Sequence, residues 1–355
     1  MTRILPRFPL AFALLAAALT LPASAADVPI KVRLTGGETL IPQLAAGLGY
    51  FRQEGLDVTS VRVEDLAPND YAMQKLLSEG RVEASLNWFQ HVLFGAGNGA
   101  PVKAVMVLND APGITVMVAN RSKGEIRSAA DFKGRRIAEG AALSTKSYLT
   151  HFMTLKAGLP AHSYTPVMVE SDGRREAVIQ ALKEGQVDVM TFLEPMTSSI
   201  VESGMVTTLY DFTHSEGTRR ALGAPWLAQS VFMAPAFIEA HPETVQRLVN
   251  ALVRTMRFVN SHTAEEIAEK LPAAYFAKKD REAEIRRIRK ALPTFAKDDY
   301  TFTPSAVKLV TEAVLSAEFG ASEEGRFRAN AKSATIRLED LYTNRFVDRA
   351  MAAIR

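Results

Sequence analysis

Leu77-Ser78-Glu79-Gly80-Arg81-Val82-Glu83 recurs 105 positions later as Leu182-Lys183-Glu184-Gly185-Gln186-Val187-Asp188. In each copy the pattern predicts a helix that ends at a glycine, which adopts the left-handed backbone conformation at little cost. A strand then begins one residue later, and a new helix follows it, after Asn87-Trp88 in the first copy and after Phe192-Leu193-Glu194-Pro195 in the second. The repeat therefore predicts two similar α/β lobes, and chance similarity of two short units is the alternative.

The segments around the two copies alternate between strand and helix patterns. Apolar residues with period two, or in short continuous runs, indicate strands, whereas apolar residues spaced along one face indicate helices. The predicted strands are 30–34, 57–63, 82–86, 102–108, 136–138, 166–169, 187–192 and 206–210. The predicted helices between them are 40–50, 73–79, 89–97, 144–157, 174–183 and 195–203. Strands joined by crossover helices predict parallel sheets and an α/β fold.

The C-terminal third has a different pattern, because it is mostly helical from residue 235 onward. The predicted helices there are 243–261, 265–269, 281–291, 305–318 and 339–354. Thr303 followed by Pro304 is a favourable helix start, with a capping hydroxyl and then a proline in the first turn. The fold prediction is therefore a two-lobed α/β protein with a helical C-terminal region.

The N-terminus has the three parts of a secretory signal peptide. Arg3 and Arg7 form a positive region, residues 10–21 are almost wholly apolar, and Ala23-Ser24-Ala25 is a small-residue cleavage site. We predict a cleaved signal peptide over 1–25, with an uncleaved anchor as the alternative. Since no cysteine follows the apolar core, a lipid anchor is excluded, and we expect an exported protein of the periplasm.

Composition excludes several classes of protein. The chain has 355 residues, of which 47% are hydrophobic and 23% charged, so it is not a disordered chain and has the length of about two domains. It contains no cysteine, which excludes a disulfide scaffold, an iron–sulfur cluster and a thiol nucleophile. Most of the formal charge of +3 comes from Arg3 and Arg7 in the predicted signal peptide. The small positive net charge therefore gives no support for a nucleic-acid partner.

Sequence motifs for catalysis are mostly absent. The chain has no G-x-S-x-G elbow, no H-E-x-x-H and no phosphate-binding loop, and its six histidines lack close metal-ligand spacing. Ser305-Ala306-Val307-Lys308 matches S-x-x-K, but it lies at a predicted helix start without the companion motifs. Asp110 and Glu194 are compatible with an acid–base pair and equally with a binding role. We predict no catalytic residue, no metal site and no cofactor.

Candidate binding residues lie at the carboxyl ends of the predicted strands, where ligands bind in α/β sheets. They are Gly37, Glu38, Thr39, Asn87, Trp88, Asn109, Asp110, Ser144, Thr145, Lys146, Ser171, Phe192, Glu194 and Trp226. For two groups of these, a structural role is the alternative. Ser144 is also a suitable helix cap with Lys146 pointing to water, and the aromatic rings are also suitable core residues.

The candidate residues favour two ligand chemistries. Ser144, Thr145 and Lys146 at a helix N-terminus favour an anion such as a sulfonate or nitrate. Trp88, Phe192 and Trp226 favour a planar or aromatic compound, which would stack on their rings. An aromatic sulfonate or carboxylate would satisfy both groups, and we give the anionic class a slight preference.

Four kinds of segment together resemble one family. They are 48–51 with 54–58, the two glycine turns at 80–83 and 185–188, the run 131–138, and Glu194-Pro195. In this order and spacing they resemble the periplasmic substrate-binding proteins of the nitrate, sulfonate, taurine and thiamine-pyrimidine type, which serve ABC importers. The segment 139–146 departs from the G-S motif that often opens the first long helix of lobe two in this family, so the resemblance leaves the ligand open.

The resemblance implies a type II, Venus-flytrap fold, in which the chain leaves lobe one, builds lobe two and returns. It places lobe one at 27–117 plus 231–355 and lobe two at 118–230, with hinges near 116–120 and 229–233. It also implies a monomeric, non-enzymatic receptor that delivers a small ligand to the membrane subunits of an ABC permease.

Two further hypotheses remain open. One is a pyrimidine-binding or biosynthetic relative, because fungal relatives resemble enzymes that consume their own histidine and a lysine-bound cofactor. The other is a ligand-sensing partner of a membrane receptor.

Overall fold

A computed structural model of the chain describes residues 28–37, 39–66, 73–140, 144–169, 175–277, 279–317 and 323–353. The predicted signal peptide over 1–25 and the candidate residues Glu38 and Ser171 lie outside these ranges. Within them, no helix has both the length and the apolar character needed to cross a membrane.

The first sheet contains five strands, one of which is antiparallel to its neighbours. In sheet order they are β2 Leu56–Ser60, β1 Ile30–Thr35, β3 Ala84–Trp88, β10 Gln229–Met233 and β4 Lys103–Val107. β1 pairs in parallel with β2 and β3, whereas β10 runs antiparallel to β3 and β4. The sheet is therefore mixed rather than parallel, because β10 returns from the second half of the chain in the opposite direction.

The second sheet has the same arrangement. Its strands, in sheet order, are β7 Thr165–Pro166, β6 Arg136–Ala138, β8 Val189–Leu193, β5 Ile114–Ala119 and β9 Val206–Phe212. β6 pairs in parallel with β7 and β8, and β5 runs antiparallel to β8 and β9. In each sheet the antiparallel strand is the one that arrives from the other half of the molecule, so the two halves have equivalent topologies.

The chain passes between the two sheets at 108–113 and again at 223–228, which we call the crossing segments. The predicted hinges at 116–120 and 229–233 lie largely within strands β5 and β10, next to these segments, and they stay a prediction. Each crossing segment contains a glycine and a proline, which favour a turn, whereas β5 and β10 are mainly apolar and pair on both sides. The turn-forming residues, rather than the extended apolar runs, therefore carry the chain across.

The sequence repeat corresponds to equivalent positions in the two sheets. β3 and β8 are offset by the same 105 residues, and each is preceded by a glycine in the left-handed region, Gly80 at φ 66° and Gly185 at φ 71°. The predicted helix–glycine–strand units are confirmed in both halves.

The acidic residue that ends each copy of the repeat anchors the neighbouring strand. Glu83 accepts hydrogen bonds from the backbone N–H of Arg33, at 2.5 Å, and from its guanidinium. Asp188 accepts equivalent bonds from Arg136, at 3.0 Å from its backbone nitrogen. We call each of these contacts, Glu83 with Arg33 and Asp188 with Arg136, a carboxylate–arginine clamp. The first clamp holds β1 against the residue that precedes β3, and the second holds β6 against the residue that precedes β8.

Helices cover both sheets. Those in the first two thirds of the chain are α1 Leu40–Gly47, α2 Tyr50–Gln53, α3 Met73–Ser78, α4 Gln90–Gly97, α5 Thr145–Lys156, α6 Arg175–Lys183, α7 Met196–Val201 and α8 Ser215–Leu222. Those in the C-terminal third are α9 Pro235–Ala240, α10 Pro242–Ser261, α11 Ala264–Lys270, α12 Arg281–Ala291, α13 Pro304–Ser316, α14 Glu323–Ser333 and α15 Arg345–Ala353. The predicted helical C-terminal region is thus confirmed, and Thr303 caps α13 by accepting from the N–H of Ala306.

Contacts between the two halves extend beyond the crossing segments. Helix α5 packs on β8 of the second sheet, and it also packs against α13 of the C-terminal region. Gln90, at the start of α4, donates to the Thr145 hydroxyl at 3.2 Å, and Arg328 of α14 donates to the Tyr148 hydroxyl at 2.5 Å. Tyr148 is buried in the core cluster that includes the first sheet.

Candidate ligand-binding site

A cavity of about 580 Å³ lies at the carboxyl edge of the first sheet, and we call it the main cavity. The ends of β1, β2 and β3 and the starts of α1 and α4 enclose it. Its volume is within the usual range for small-molecule sites. Four of the predicted binding residues line it together, namely Gly37, Thr39, Asn87 and Trp88.

A glycine allows the loop after β1 to approach β3. Gly36 has φ 124°, and a Cβ atom there would lie 2.2 Å from the carbonyl oxygen of Leu86. Only glycine fits this close approach. The approach brings the backbone at Gly37 next to the Asn87 side chain, so residues from two strand ends reach the same cavity.

The main cavity offers neutral hydrogen-bonding groups. Asn87 Oδ1 accepts from the backbone N–H of Trp88 at 2.8 Å, while its Nδ2 has a single partner among the described residues, the Met73 sulfur at 3.7 Å. The Thr35 hydroxyl is buried and has no hydrogen-bond partner within the described part of the chain. A ligand in the cavity can therefore accept a hydrogen bond from the Asn87 amide, and the buried Thr35 hydroxyl belongs to the same wall.

The cationic side chain in this cavity is already paired. Arg62 Nε lies 3.3 Å from the carboxylate of Glu64, which also lines the cavity. Burial, reinforced by the charge of Arg328, lowers the pKa of His91 to about 3, so its imidazole is neutral. Among the described lining residues, none provides an uncompensated positive charge.

A second cavity, of about 250 Å³, lies where the two crossing segments meet, and we call it the crossing cavity. Trp88 lines it as well as the main cavity, so this ring lies between the two. The predicted residues Asn109 and Glu194 line it, together with Gln229 at the start of β10. Glu194 accepts from the backbone N–H and the hydroxyl of Ser198, at 3.3 and 2.8 Å.

Four other predicted residues of the second half line neither cavity, namely Ser144, Thr145, Lys146 and Phe192. Ser144 caps α5, since its hydroxyl accepts from the N–H of Ser147 at 3.4 Å. Thr145 is buried and bonded to Gln90. Lys146 is partly buried, with its ammonium 5.8 Å from the centre of the buried Phe192 ring, and burial lowers its pKa.

Two predicted residues lie away from both cavities. Trp226 is fully buried in the core, because the second crossing segment turns its ring inward. Asp110 lines a third cavity, of about 210 Å³, where burial raises its pKa while Arg219 and Lys297 favour its charged form. Asp110 and Glu194 therefore line different cavities, and this geometry gives no support for an acid–base pair.

Sequence reasoning missed several residues that line the main cavity. The polar ones are Thr35, Gln43, Ser60, Arg62, Glu64 and His91. The expectation that ligands bind at the carboxyl ends of strands also applies to Thr35, because it is the last residue of β1. His91 lies in the first turn of α4, three residues after the end of β3, so its closeness to the strand end at Trp88 was the available signal.

A protein-family model with the description NMT1/THI5 like matches residues 42–266, which is more than half of the chain. The chain belongs to the NMT1/THI5 like family. A curated relative of this NMT1/THI5-like protein is a 4-amino-5-hydroxymethyl-2-methylpyrimidine phosphate synthase from Aspergillus parasiticus, 24% identical over 246 residues. The match spans 64% of each chain, slightly less than two thirds of that relative's length.

Solved structures establish the fold of this NMT1/THI5-like protein. The periplasmic sulfonate-binding protein SsuA from Methylobacillus flagellatus is 14% identical, with a TM-score of 0.66 over 92% of this chain and 95% of that one. The periplasmic nitrate-binding protein NrtA from Synechocystis is 12% identical, with a TM-score of 0.59 over 92% and 89%. The fold is therefore that of the periplasmic binding proteins, as the resemblance in the sequence implied.

Proposed function

We propose that this protein is an exported, non-enzymatic receptor that binds a small solute in the main cavity and delivers it to an ABC import permease. The observation that carries the proposal is the main cavity itself, which is lined by the buried Thr35 hydroxyl, without a hydrogen-bond partner among the described residues, by the Asn87 amide and by the half-buried Trp88. The periplasmic binding proteins of similar fold and the predicted signal peptide support the same role.

We further propose that the solute is an uncharged planar compound rather than a bare anion. Arg62 is paired with Glu64, and His91 is neutral, so a sulfonate or nitrate would meet no free cation among the described lining residues. A planar ring can stack on Trp88 and bond to Thr35 and Asn87.

Binding to the mature chain, beginning at Ala26, tests the proposal. Calorimetry and thermal unfolding with a panel of pyrimidines, purines, sulfonates, nitrate and carboxylates should identify a ligand among the uncharged rings. At 100 times its Kd, a ligand should stabilise the protein by about 2.7 kcal/mol. Catalytic turnover of a bound compound, or binding confined to the anions, would contradict the proposal.

Tryptophan fluorescence locates the bound solute, because the chain has two tryptophans and Trp226 is fully buried. A ligand in the main cavity should change the emission of Trp88. The change should disappear in Trp88→Phe and persist in Trp226→Phe. A ligand response that survives Trp88→Phe would place the solute elsewhere.

A biosynthetic enzyme is the second candidate function, because His91 lines the main cavity and a curated relative is a pyrimidine phosphate synthase. Mass spectrometry of the incubated protein separates the two candidates. A receptor releases its solute unchanged and keeps an intact His91, whereas consumption of the solute or modification of His91 would favour the enzyme.

A further inference from the structure

Gln74 contacts the imidazole of His91 from the neighbouring helix. Gln74 belongs to α3 and is only 1% exposed, whereas His91 is half-buried in the first turn of α4, at the wall of the main cavity. The Gln74 amide nitrogen lies 3.0 Å from the carbonyl oxygen of His91 and 3.2 Å from its ring nitrogen Nδ1. One side chain therefore contacts both the backbone and the ring of the same histidine.

The contact with the backbone fixes which way the Gln74 amide faces. A carbonyl oxygen only accepts hydrogen bonds, so the group next to the His91 carbonyl is the amide nitrogen of Gln74. The opposite orientation would place Gln74 Oε1 there, and two oxygens 3.0 Å apart repel each other. The observed orientation leaves Gln74 Oε1 buried without a partner among the described residues, so the contact with His91 is made at that expense.

The orientation of Gln74 decides the tautomer of His91. An amide nitrogen donates and cannot accept, so His91 Nδ1 is the acceptor in this contact and carries no proton. In a neutral imidazole the proton is then on Nε2. Burial and the Arg328 guanidinium of α14 both oppose a second proton, and they lower the pKa of His91 to about 3. The other charged residues described at the wall of this cavity, Arg62 and Glu64, are paired with each other.

We propose that Gln74 is a positioning residue of the main cavity, which holds His91 as the neutral Nε2–H tautomer. In this state the ring can donate a hydrogen bond but has no free lone pair, because Nδ1 accepts from Gln74 and Nε2 carries the proton. A histidine that acts as a base needs a free lone pair, so Gln74 keeps His91 from taking a proton from a bound compound. The role in binding rests on the proposed function, whereas the tautomer does not depend on it.

Nitrogen NMR of the ligand-free mature chain with labelled histidine measures the tautomer, because the chemical shift of a ring nitrogen changes strongly when it carries a proton. Two other histidines provide references. His214 Nδ1 accepts from the backbone N–H of Gly217 at 3.2 Å, so it carries no proton. His262 Nδ1 lies 2.9 Å from the Phe258 carbonyl oxygen, so it must carry one. At pH 8, where an ordinary imidazole is neutral, the His91 Nδ1 signal should lie near that of His214. A position near that of His262 would overturn the proposal.

Gln74→Glu replaces the donor with an acceptor. The carboxylate should draw a proton onto His91 Nδ1, and the signal of this nitrogen should move from the position of His214 toward that of His262. Gln43→Glu is the matched control, because Gln43 lines the same cavity without a hydrogen bond to His91 within the described residues. The control should leave the His91 signal in place, and an equal movement in both variants would contradict a specific role for Gln74.

Gln74→Leu covers the case in which the introduced glutamate takes up a proton itself. It removes the donor without adding a charge, so the ratio of rings with a proton on Nδ1 should rise about fivefold, the value of one ordinary hydrogen bond. A His91 signal that stays in place in both Gln74 variants would overturn the positioning role. The wild-type spectrum is independent of whether the variants fold. Failure of every solute to bind would overturn the proposed receptor and leave this inference intact, because the spectra are recorded without ligand.

Discussion

Glu139, which is buried, and His91, which is half-buried, are titratable groups whose effects on stability have opposite pH dependence. The Glu139 side chain, at the end of β6, accepts from the hydroxyls of Tyr164, at 2.6 Å, and Ser147, at 3.1 Å. Burial raises its pKa to about 7, because these bonds only partly compensate for lost hydration. His91 has a pKa of about 3 and stays neutral.

Glu139→Gln should stabilise the protein at alkaline pH. Between about pH 4.5 and 7 the folded state retains the Glu139 proton that the unfolded state has lost, so stability falls as the pH rises through this window. Glutamine mimics the protonated acid and removes this loss. We expect a gain of about 3 kcal/mol at pH 8 and almost none at pH 4.5, measured by urea unfolding. A variant that is equally stabilised at both pH values would show that the pKa of Glu139 is not raised in the folded protein.

His91→Gln should reduce sensitivity to acid. Below pH 6.5 the unfolded state gains a proton at His91 that the folded state does not accept until about pH 3, so stability falls on acidification. Between pH 7 and pH 5 the wild type should lose about 2 kcal/mol through this residue, and the variant should not. The quantity to compare is the change in the free energy of unfolding with pH in the wild type and in the variant, because Glu139 has the opposite effect on both proteins in the same pH range. Identical pH profiles would show that His91 is protonated in the folded state.

Individual site residues were predictable where they directly follow a strand. Asn87 and Trp88 end β3, and Gly37 and Thr39 follow β1, so the strand-end rule brought them together. The direction of a side chain in a turn was not predictable. Trp226 is next to a loop in sequence, yet its ring lies in the core, because burial of the indole outweighs an N–H that has no partner among the described residues.

At the scale of elements, the carboxylate–arginine clamp should contribute to the stability of each sheet. The Asp188 side chain is 9% exposed and accepts from the backbone and guanidinium of Arg136. Asp188→Ala should cost about 1–3 kcal/mol, because it leaves the backbone N–H of Arg136 without its carboxylate acceptor. The exposed pair of Glu216 and Arg220 provides the control, and Glu216→Ala should cost less than about 0.5 kcal/mol. Equal losses in denaturant unfolding would contradict a structural role for the repeat.

Most elements were predictable from periodicity, and the exceptions have physical causes. The predicted helix 281–291 has the bounds of α12, and the predicted strand 136–138 those of β6. Helix α14 has no clear apolar stripe, and its packing against α4 is tertiary, so its sequence gave little signal. The antiparallel direction of β5 and β10 also escaped prediction, because strand direction depends on where the chain crosses between sheets.

At the scale of the molecule, the hydrogen bond between Tyr148 and Arg328 joins helix α5 of the second half to α14 of the C-terminal region. Tyr148→Phe removes that bond while retaining the buried ring. We expect amide hydrogens of α14 to exchange severalfold faster, with a loss of global stability of about 1 kcal/mol. Hydrogen exchange measured by mass spectrometry tests this. Thr207→Val, which removes a hydroxyl within the second half, is the control and should leave α14 unchanged.

The two-lobed architecture followed from the sequence because one feature, the 105-residue repeat, marks equivalent strands in both sheets. The crossing segments did not follow, since extended apolar residues suit a central strand as well as a hinge. The contact of α5 with the C-terminal helices was also beyond prediction, because nothing local in either segment specifies its partner.

The position of β10 has a consequence for the order in which the chain is made. β10 lies between β3 and β4 in the first sheet, yet it begins at residue 229 of 355, when about two thirds of the protein has been synthesised. Until then β3 and β4 have no common neighbour, and the first sheet is left with unpaired strand edges. A nascent chain therefore cannot complete its N-terminal half early. A protein proposed for export would benefit from this delay, because a chain that has not folded can still pass through a membrane channel. The unpaired strand edges are also prone to aggregation, so they must be protected until β10 is in place.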